Sequence, residues 1–425
     1  MKYYLGIDTG TTSISIAAMS EERKLLASRT VNHKAFIEGD SPSSRVQDPE
    51  RIKSLVLETV SALTQELGRP SAIGFTGQMH GILYVNAKGQ AVSPLWTWQD
   101  SSGDDSLAVL RENGLKVSSG YGMATHLHLQ HSGKIPAEAA KLSTISDYIA
   151  MSLCGKTEPE LSPDMAASWG CFDLKRREFM IDGLKGAGVD VSYLPRVMSG
   201  YGVIGTTKDD VPVVCSMGDN QAAVRGSLRN EADSLLVNIG TGSQVSFVSN
   251  EYVDVYGEIE LRPYGGGYIL AGAALCGGRA YAMLEKLFRE IAGRECYGLM
   301  SEKAEEFLRN GGRAWKVDTR FAGTRSDPDI RGSISGIGED NFCAGAFTVG
   351  VIRGILGELH GMYSTMTELT GRGATILVGS GNGMRKNEVM QRLAGEMFGM
   401  SVEIPEYTEE AACGCALCAM GKARG

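Results

Sequence analysis

The chain has 425 residues, 43% of them hydrophobic, and carries a formal net charge of −8. That acidic balance excludes a nucleic-acid partner, since a phosphate backbone calls for clustered Lys and Arg, and no apolar run nears the roughly 18 residues of a membrane helix. The nine cysteines, an odd number scattered through apolar stretches, read as reduced core thiols of a cytoplasmic protein.

Met1-Lys2 leads directly into a strand, Tyr3 to Ile7, which is not the pattern of a signal peptide. The strand runs into Asp8-Thr9-Gly10-Thr11-Thr12-Ser13, a turn whose bare backbone N–H groups favour phosphate. Ser13–Met19 and Lys24–Thr30 continue as a meander, and 33–47 is polar and reads as loops. Asp48-Pro49 opens a helix with an N-cap acid and proline at its first position. Ile52, Leu55, Val56, Val60, Leu63 and Leu67 keep helical spacing along it. Ala72–Thr76 is a short buried strand that delivers Gly77-Gln78-Met79-His80-Gly81. Leu83–Val85 and Pro94–Trp98 complete that sheet region, the latter ending in Trp96-Thr97-Trp98-Gln99-Asp100. The stretch 107–154 is mostly helical in pattern, with His126, His128 and His131 in one segment and no acidic companions for a metal.

The polar segment 203–211 divides the chain into expected domains 1–211 and 212–425. The second domain repeats the first. Ser216-Met217-Gly218-Asp219 enters an alanine-rich helix, and the strand Leu235–Ile239 ends in Gly240-Thr241-Gly242-Ser243. Laid over the first turn, Gly10 falls on Gly240, Thr11 on Thr241, Ser13 on Ser243 and Asp8 on Asn238, as in a duplicated unit that kept one acid. Strands Val245–Val248, Tyr268–Ala273 and Thr375–Val378 follow, with helices from about 342 and 409. Matching α/β halves imply an interdomain cleft bridged by a nucleotide.

A carboxylate and a phosphate cradle roughly 20 residues apart fit a base that deprotonates an alcohol beside a bound nucleotide. Asp219 is either an ordinary N-cap or that base, and its nearness to the second turn favours the base. Asp8 either braces its turn or faces Mg2+, which takes one or two carboxylates with waters and phosphate oxygens. Gly10, Gly240, Thr11, Thr12, Thr241, Gly242 and Ser243 offer N–H and hydroxyl groups to the phosphates. Gly381, Asn382 and Gly383, completed by Gly272, offer a platform for adenosine. Gln78, Met79 and His80 sit between glycines, and with Trp98 and Asp100 they form a wall suited to a polyol. Cys413, Cys415 and Cys418 lie in Ala-rich helical sequence without a fourth ligand and read as packing.

Gly6–Thr12, Gly77–Gly81, Gly218–Ala222, Ile239–Ser243 and Phe321–Arg325 with Asp329–Gly332 resemble the FGGY carbohydrate kinases, in order and from end to end. The resemblance implies two ribonuclease-H-like domains of the actin and sugar-kinase superfamily, with ATP and Mg2+ in the cleft. It also implies Asp219 as base, Asp8 as the metal-linked acid, and Met79, His80 and Asp100 as sugar contacts. Thr97–Asp100, Ile145–Tyr148 and Ala166–Gly170 are most similar to the branch acting on sedoheptulose, although Ser101-Ser102 replaces the Gly-Arg of that branch. The implied reaction phosphorylates a ketose at its terminal hydroxyl, sedoheptulose giving sedoheptulose 7-phosphate. Xylulose or another ketose or polyol is the same-class alternative. An ATP-gated interaction protein of the actin fold, or a silent sugar sensor, is the alternative of another class, and a homodimer is compatible with either.

Overall fold

The computed structural model describes residues 2–325 and 327–423. They form two compact units. The first holds the chain up to Gly226, the segment Pro263–Gly266 and the C-terminal stretch from Glu409; the second holds Ser227–Arg262 and Gly267–Thr408.

In the first unit, β1 (Tyr3–Thr9), β2 (Ser13–Ser20) and β3 (Leu25–Asn32) form an antiparallel meander. Helix α1 (Pro49–Leu67) follows, and the Asp48 carboxylate accepts from the N–H groups of Glu50 (2.9 Å) and Arg51, as its cap position requires. Strand β4 (Ala72–Gly77) then pairs parallel to β1. After α2 (Gly122–His131) and α3 (Ile145–Leu153), the chain returns through β5 (Val203–Thr206), β6 (Pro212–Val214) and β7 (Met217–Gly218). The sheet order is β5-β6-β4-β1-β2-β3, with β7 also pairing β4. Helix α4 (Asp219–Ser227) leaves from β7.

The segment 203–211, read from sequence as a domain boundary, lies inside this unit. β5 and β6 pair antiparallel across it, so its polarity is that of a hairpin at a sheet edge. Leu83–Asn86 and Leu95–Trp96 also leave the main sheet, the first pairing Ala139–Ser143 and the second Val46–Gln47.

The second unit repeats the central strands of the first sheet. β8 (Ser234–Ile239) pairs antiparallel to β9 (Ser243–Ser249), which pairs antiparallel to β11 (Gly267–Ala274), with β10 (Ile259–Tyr264) at the edge. Helices α5 (Gly277–Ala292), α6 (Tyr297–Arg309) and α7 (Ala344–Thr370) lead to β12 (Ile376–Ser380), which lies parallel to β8 as β4 lies to β1. Short α8 (Gly381–Lys386), α9 (Glu388–Phe398) and β13 (Ser401–Glu403) complete it. Asn238 stands opposite Ser380 as Asp8 stands opposite Thr76, so the alignment of the two turns holds in three dimensions.

The C-terminal helix α10 (Glu410–Ala423) returns to the first unit and lies on β1 and β4. A Cβ on Gly6 would stand 1.8 Å from the Ala412 carbonyl oxygen, and one on Gly414 would stand 1.9 Å from that of Ala222. Backbones that close favour small residues at the contact, as with the Ala, Gly and Cys residues of 411–416 on α10.

Candidate active site

Three parallel strands of the first unit end together. Asp8 on β1 stands opposite Thr76 on β4, and Thr76 stands opposite Met217 on β7; Gly77 and Gly218 pair one residue further on. Neighbouring strands lie about 4.8 Å apart, so the backbones of Asp8 and Met217 are separated by roughly 10 Å. Ligands of open parallel sheets sit beyond the carboxyl ends of such strands. Asp219, the next residue after β7, is exposed at this edge. It belongs to the first unit together with Asp8, not to a separate second domain. Asp8 carries one carboxylate oxygen, Oδ1, shut away from solvent with no hydrogen-bond partner. Burial, with the negative charges of Asp219 and Glu409 nearby, pushes its carboxyl up to about 7.

Two further buried acids hold the strand that carries Asp219. Asp164 Oδ2 accepts from the Gly218 N–H (2.8 Å) and the Tyr201 hydroxyl (3.0 Å). Asp147 Oδ1 accepts from the Ser216 N–H (3.3 Å), and its Oδ2 accepts from the Thr144 hydroxyl (2.6 Å). Burial raises both carboxyls, that of Asp147 to about 6. Gly218 is obligatory because a Cβ there would meet Gln221 Oε1 at 2.3 Å and Met79 Sδ at 2.7 Å. Asp8 Oδ1, Gln78 Oε1, Asp164 Oδ1 and Gln221 Oε1 are among the buried side-chain oxygens of this unit without a hydrogen-bond partner. Buried acceptors left so are costly to the fold.

The expected sugar wall is assembled in part. His80 takes a left-handed backbone (φ 73°), a strained state for a side chain of its size. Its N–H donates to Ser168 Oγ (3.1 Å), its Nδ1–H donates to the Ser168 carbonyl (2.6 Å), and its ring stacks on Tyr121 with centroids 4.4 Å apart. Met79 is buried against Gly218. Both carboxylate oxygens of Asp100 accept from the protein: Oδ2 from the Arg45 N–H (2.7 Å), and Oδ1 from the Ser102 N–H (3.0 Å) and hydroxyl of its own turn. Trp98 keeps 47% of its surface exposed and donates from Nε1 to Thr11 Oγ1 (2.9 Å). Thr11 and Gly10 thus lie beside the wall, and Thr12 is exposed next to them.

The second unit has its own cavity of about 680 Å3, lined by Gly240, Thr241, Asn382 and Gly383 together with Gly278, Arg279, Tyr281, Tyr297 and Asn387. That volume suits a nucleoside-sized ligand. The turn is bonded to the start of α5, since Gly278 N–H donates to the Gly240 carbonyl and Arg279 N–H to that of Thr241, both at 2.9 Å. Gly242 and Ser243 lie outside the lining, with Ser243 drawn into its pairing with Ala274. Gly381 packs against the Ile239 carbonyl. Gly272 sits mid-strand on β11 with its open face against Met362 and Ile259, away from the cavity.

Residues 3–226 match the N-terminal domain of the FGGY family of carbohydrate kinases, and residues 235–423 match its C-terminal domain. The chain belongs to the FGGY family of carbohydrate kinases. It is 30% identical to a sedoheptulokinase of Mus musculus over 443 aligned positions (93% of this chain, 92% of the relative) and 28% identical to that of Homo sapiens (97% and 96%). Among solved structures, the xylulose kinase of Rhodospirillum rubrum superposes with a TM-score of 0.87 at 19% identity (99% of this chain, 90% of the other), which shows the shared fold.

This FGGY kinase is therefore a phosphotransferase acting on a sugar hydroxyl, and its family uses ATP as phosphate donor. The contacts of several residues around its first-unit site are not legible in the motifs. Asp147 and Asp164 act on backbone N–H groups more than fifty positions away, and Gln47 and Ser168 lie in segments that read as loop or turn. The one local signal was a cap: Thr144 accepts from the Asp147 N–H, and Ser162 from that of Met165.

Proposed function

We propose that this kinase transfers the γ-phosphate of ATP to the terminal hydroxyl of a ketose, with sedoheptulose as the preferred acceptor and sedoheptulose 7-phosphate as product. The observation that carries this reading is the set of buried, unsatisfied acceptors Gln78 Oε1, Asp164 Oδ1 and Gln221 Oε1, on residues next to or in contact with the paired strand ends Gly77 and Gly218 from which Asp219 emerges. A polyol is a chain of O–H donors and satisfies such a set; a purely apolar or anionic ligand does not. The choice of sedoheptulose follows from the relatives that share over nine-tenths of the chain.

Asp219 accepts the hydroxyl proton as its oxygen attacks phosphorus, and it is oriented by the segment before it, whose Ser216 and Gly218 N–H groups are fixed by Asp147 and Asp164. The N–H groups and hydroxyls of Gly10, Thr11 and Thr12 receive phosphate oxygens. Gly240, Thr241, Asn382 and Gly383 line the adenosine site. Asp8 fits Mg2+, since its buried Oδ1 lacks a partner; it would hold the ion, which would supply neutralisation of charge at the transferring phosphate. The protein works in the cytoplasm. No helix among the described residues is long and apolar enough to cross a membrane.

A panel of sedoheptulose, xylulose, ribulose, gluconate and glycerol with ATP tests the assignment, with kcat/KM read for each. Sedoheptulose is expected to lead by at least about tenfold, because a site that hydrogen-bonds a hydroxyl rejects ligands lacking it. A higher kcat/KM for xylulose or glycerol overturns the substrate, and no phosphorylation of any member overturns the reading.

A further inference from the structure

Gln47 is wholly buried, on a two-residue strand (Val46–Gln47) between Phe36–Ile37 and Leu95–Trp96. Its side-chain Nε2 donates to the Thr11 carbonyl (2.7 Å), and its Oε1 accepts from Gln78 Nε2 (3.0 Å). A backbone carbonyl accepts and never donates, so the Thr11 end of this chain admits only the NH2 group of Gln47. That choice turns Gln47 Oε1 toward Gln78, which in turn admits only the NH2 group of Gln78. Gln78 Oε1 is left buried and without a partner, on the residue after Gly77, which pairs with Gly218. Flipping either amide would set two acceptors, or two donors, against each other inside a buried site. The polarity of the substrate wall is thus dictated by a carbonyl of the phosphate turn.

We infer that Gln47 is a positioning residue that fixes Gln78 as a hydrogen-bond acceptor for a sugar hydroxyl and couples sugar binding to nucleotide binding at Thr11. The inference rests on the proposed sugar and phosphate roles of Gln78 and Thr11. Gln47 touches neither ligand. Its two hydrogen bonds join the groups that do, and amide chains in a buried setting polarise one another. A nucleotide that orders the Thr11 turn holds the Thr11 carbonyl in place, and with it the whole relay, so the sugar meets a site already set. Linkage requires the reverse effect to be equal: sugar tightens the nucleotide by the same factor.

The test measures, by calorimetry, the Kd of sedoheptulose with and without a non-hydrolysable ATP analogue, and the Kd of the analogue with and without sedoheptulose. Wild type, Gln47→Met, Gln78→Met and the double variant are compared. The wild type is expected to show mutual tightening of about fivefold, the low end of common coupling. Gln47→Met keeps the volume but cannot hydrogen-bond in the relay, and is expected to weaken sedoheptulose about three- to tenfold, the range for one hydrogen bond, and to bring the mutual factor to about one. The double variant is expected to be no weaker than Gln78→Met alone, since both remove one interaction. An unchanged sugar Kd and coupling in Gln47→Met, or additive losses in the double variant, overturns the inference while leaving the kinase assignment intact. A wild type that neither binds nor phosphorylates a ketose removes the underlying reading instead. Should Gln47→Met fail to fold, Gln47→Asn keeps an amide too short to reach both partners and must lose the same coupling; retention of the coupling in it overturns the inference.

Discussion

The indole N–H of Trp98 donates to the hydroxyl of Thr11 across 2.9 Å, so an aromatic expected to serve the sugar is tied to the turn expected to serve phosphate. With nearly half its surface still exposed, the ring keeps a face for sugar C–H groups while its edge holds Thr11. The two duties separate by substitution. Trp98→Phe keeps an aromatic face and deletes the donor, and is expected to raise KM for ATP about two- to tenfold with little change in KM for sugar. Trp98→Ala is expected to raise both. Steady-state kinetics with each substrate varied in turn gives the answer, and an ATP KM unchanged in Trp98→Phe counts against a role for this bond.

Asp164 binds two groups that have no other call on solvent: the Gly218 N–H just before Asp219, and the buried Tyr201 hydroxyl. Asp164→Ala strands both donors in the interior and is expected to cost about 2–4 kcal/mol in stability and to lower kcat, because the backbone that aims Asp219 loses its anchor. Tyr201→Phe removes one donor cleanly and is expected to cost about 1 kcal/mol with kcat nearly unchanged. Urea denaturation and kcat of both variants are the measurements, and a full kcat in a folded Asp164→Ala would dissociate this acid from the positioning of the base.

His126 is a satisfied core histidine. Its Nδ1 accepts from the Tyr84 hydroxyl (2.6 Å), its Nε2–H donates to the Asp190 carbonyl (3.3 Å), and burial pushes its pKa down to about 4. The unfolded chain takes up this proton below about pH 6.5, whereas the folded chain holds it off until about pH 4. Between those values the unfolded state binds more protons, so stability falls as pH falls, at up to about 1.4 kcal/mol per pH unit from this one group. His126→Gln is expected to be less stable at pH 7.5 but to lose this slope, which denaturation midpoints at pH 7.5 and 5 will show. An equal slope in the variant would place the acid sensitivity elsewhere.

Much of the architecture was legible because it is written in local patterns. Two glycine turns after apolar strands identified the repeat, and Asp8, Asn238 and their registers confirm it. The helix start at Asp48-Pro49 followed from cap chemistry alone. What was not legible stayed so for physical reasons. Asp100 carries the residue type of a ligand contact, yet an acid two positions before a serine also closes an Asx turn, and sequence does not distinguish the two. The polar run at 203–211 signals exposure equally well at a linker and at a sheet edge. Gln47, Asp147 and Asp164 earn their roles from partners brought near only by the folded sheet. His128, read as lacking an acid, finds Asp105 at 2.9 Å.

Asp219 is the group assigned to the proton. It lies at the open edge of the first sheet, exposed, with its Oδ1 accepting from the Asn220 N–H (2.6 Å). Replacement by Ala is expected to lower kcat by about 10²–10⁴, the usual contribution of a positioned base, while calorimetry shows ADP binding unchanged. Near-normal turnover in that variant would take the role away from Asp219.

Asp8 is costly to the unliganded fold, and in the proposed mechanism it serves the liganded one. Its Oδ1 is buried without a partner, and like charges from Asp219 and Glu409 press on it. An unpaired buried carboxylate costs stability until a cation compensates it, so the side chain is retained for what it binds. Asp8→Asn keeps the shape and removes the charge. In the absence of Mg2+ and nucleotide it is expected to melt no lower than wild type, and higher if the amide finds a partner. Its kcat with Mg-ATP is expected to fall by at least about a hundredfold, as for the loss of charge stabilisation at a transferring phosphoryl group. Chelation of Mg2+ by EDTA is expected to silence the wild type and to be reversed by added MgCl2. Thermal melting without ligands and turnover across a Mg2+ titration measure the two sides separately; a variant that melts several degrees lower yet turns over at the wild-type rate would make Asp8 a structural acid.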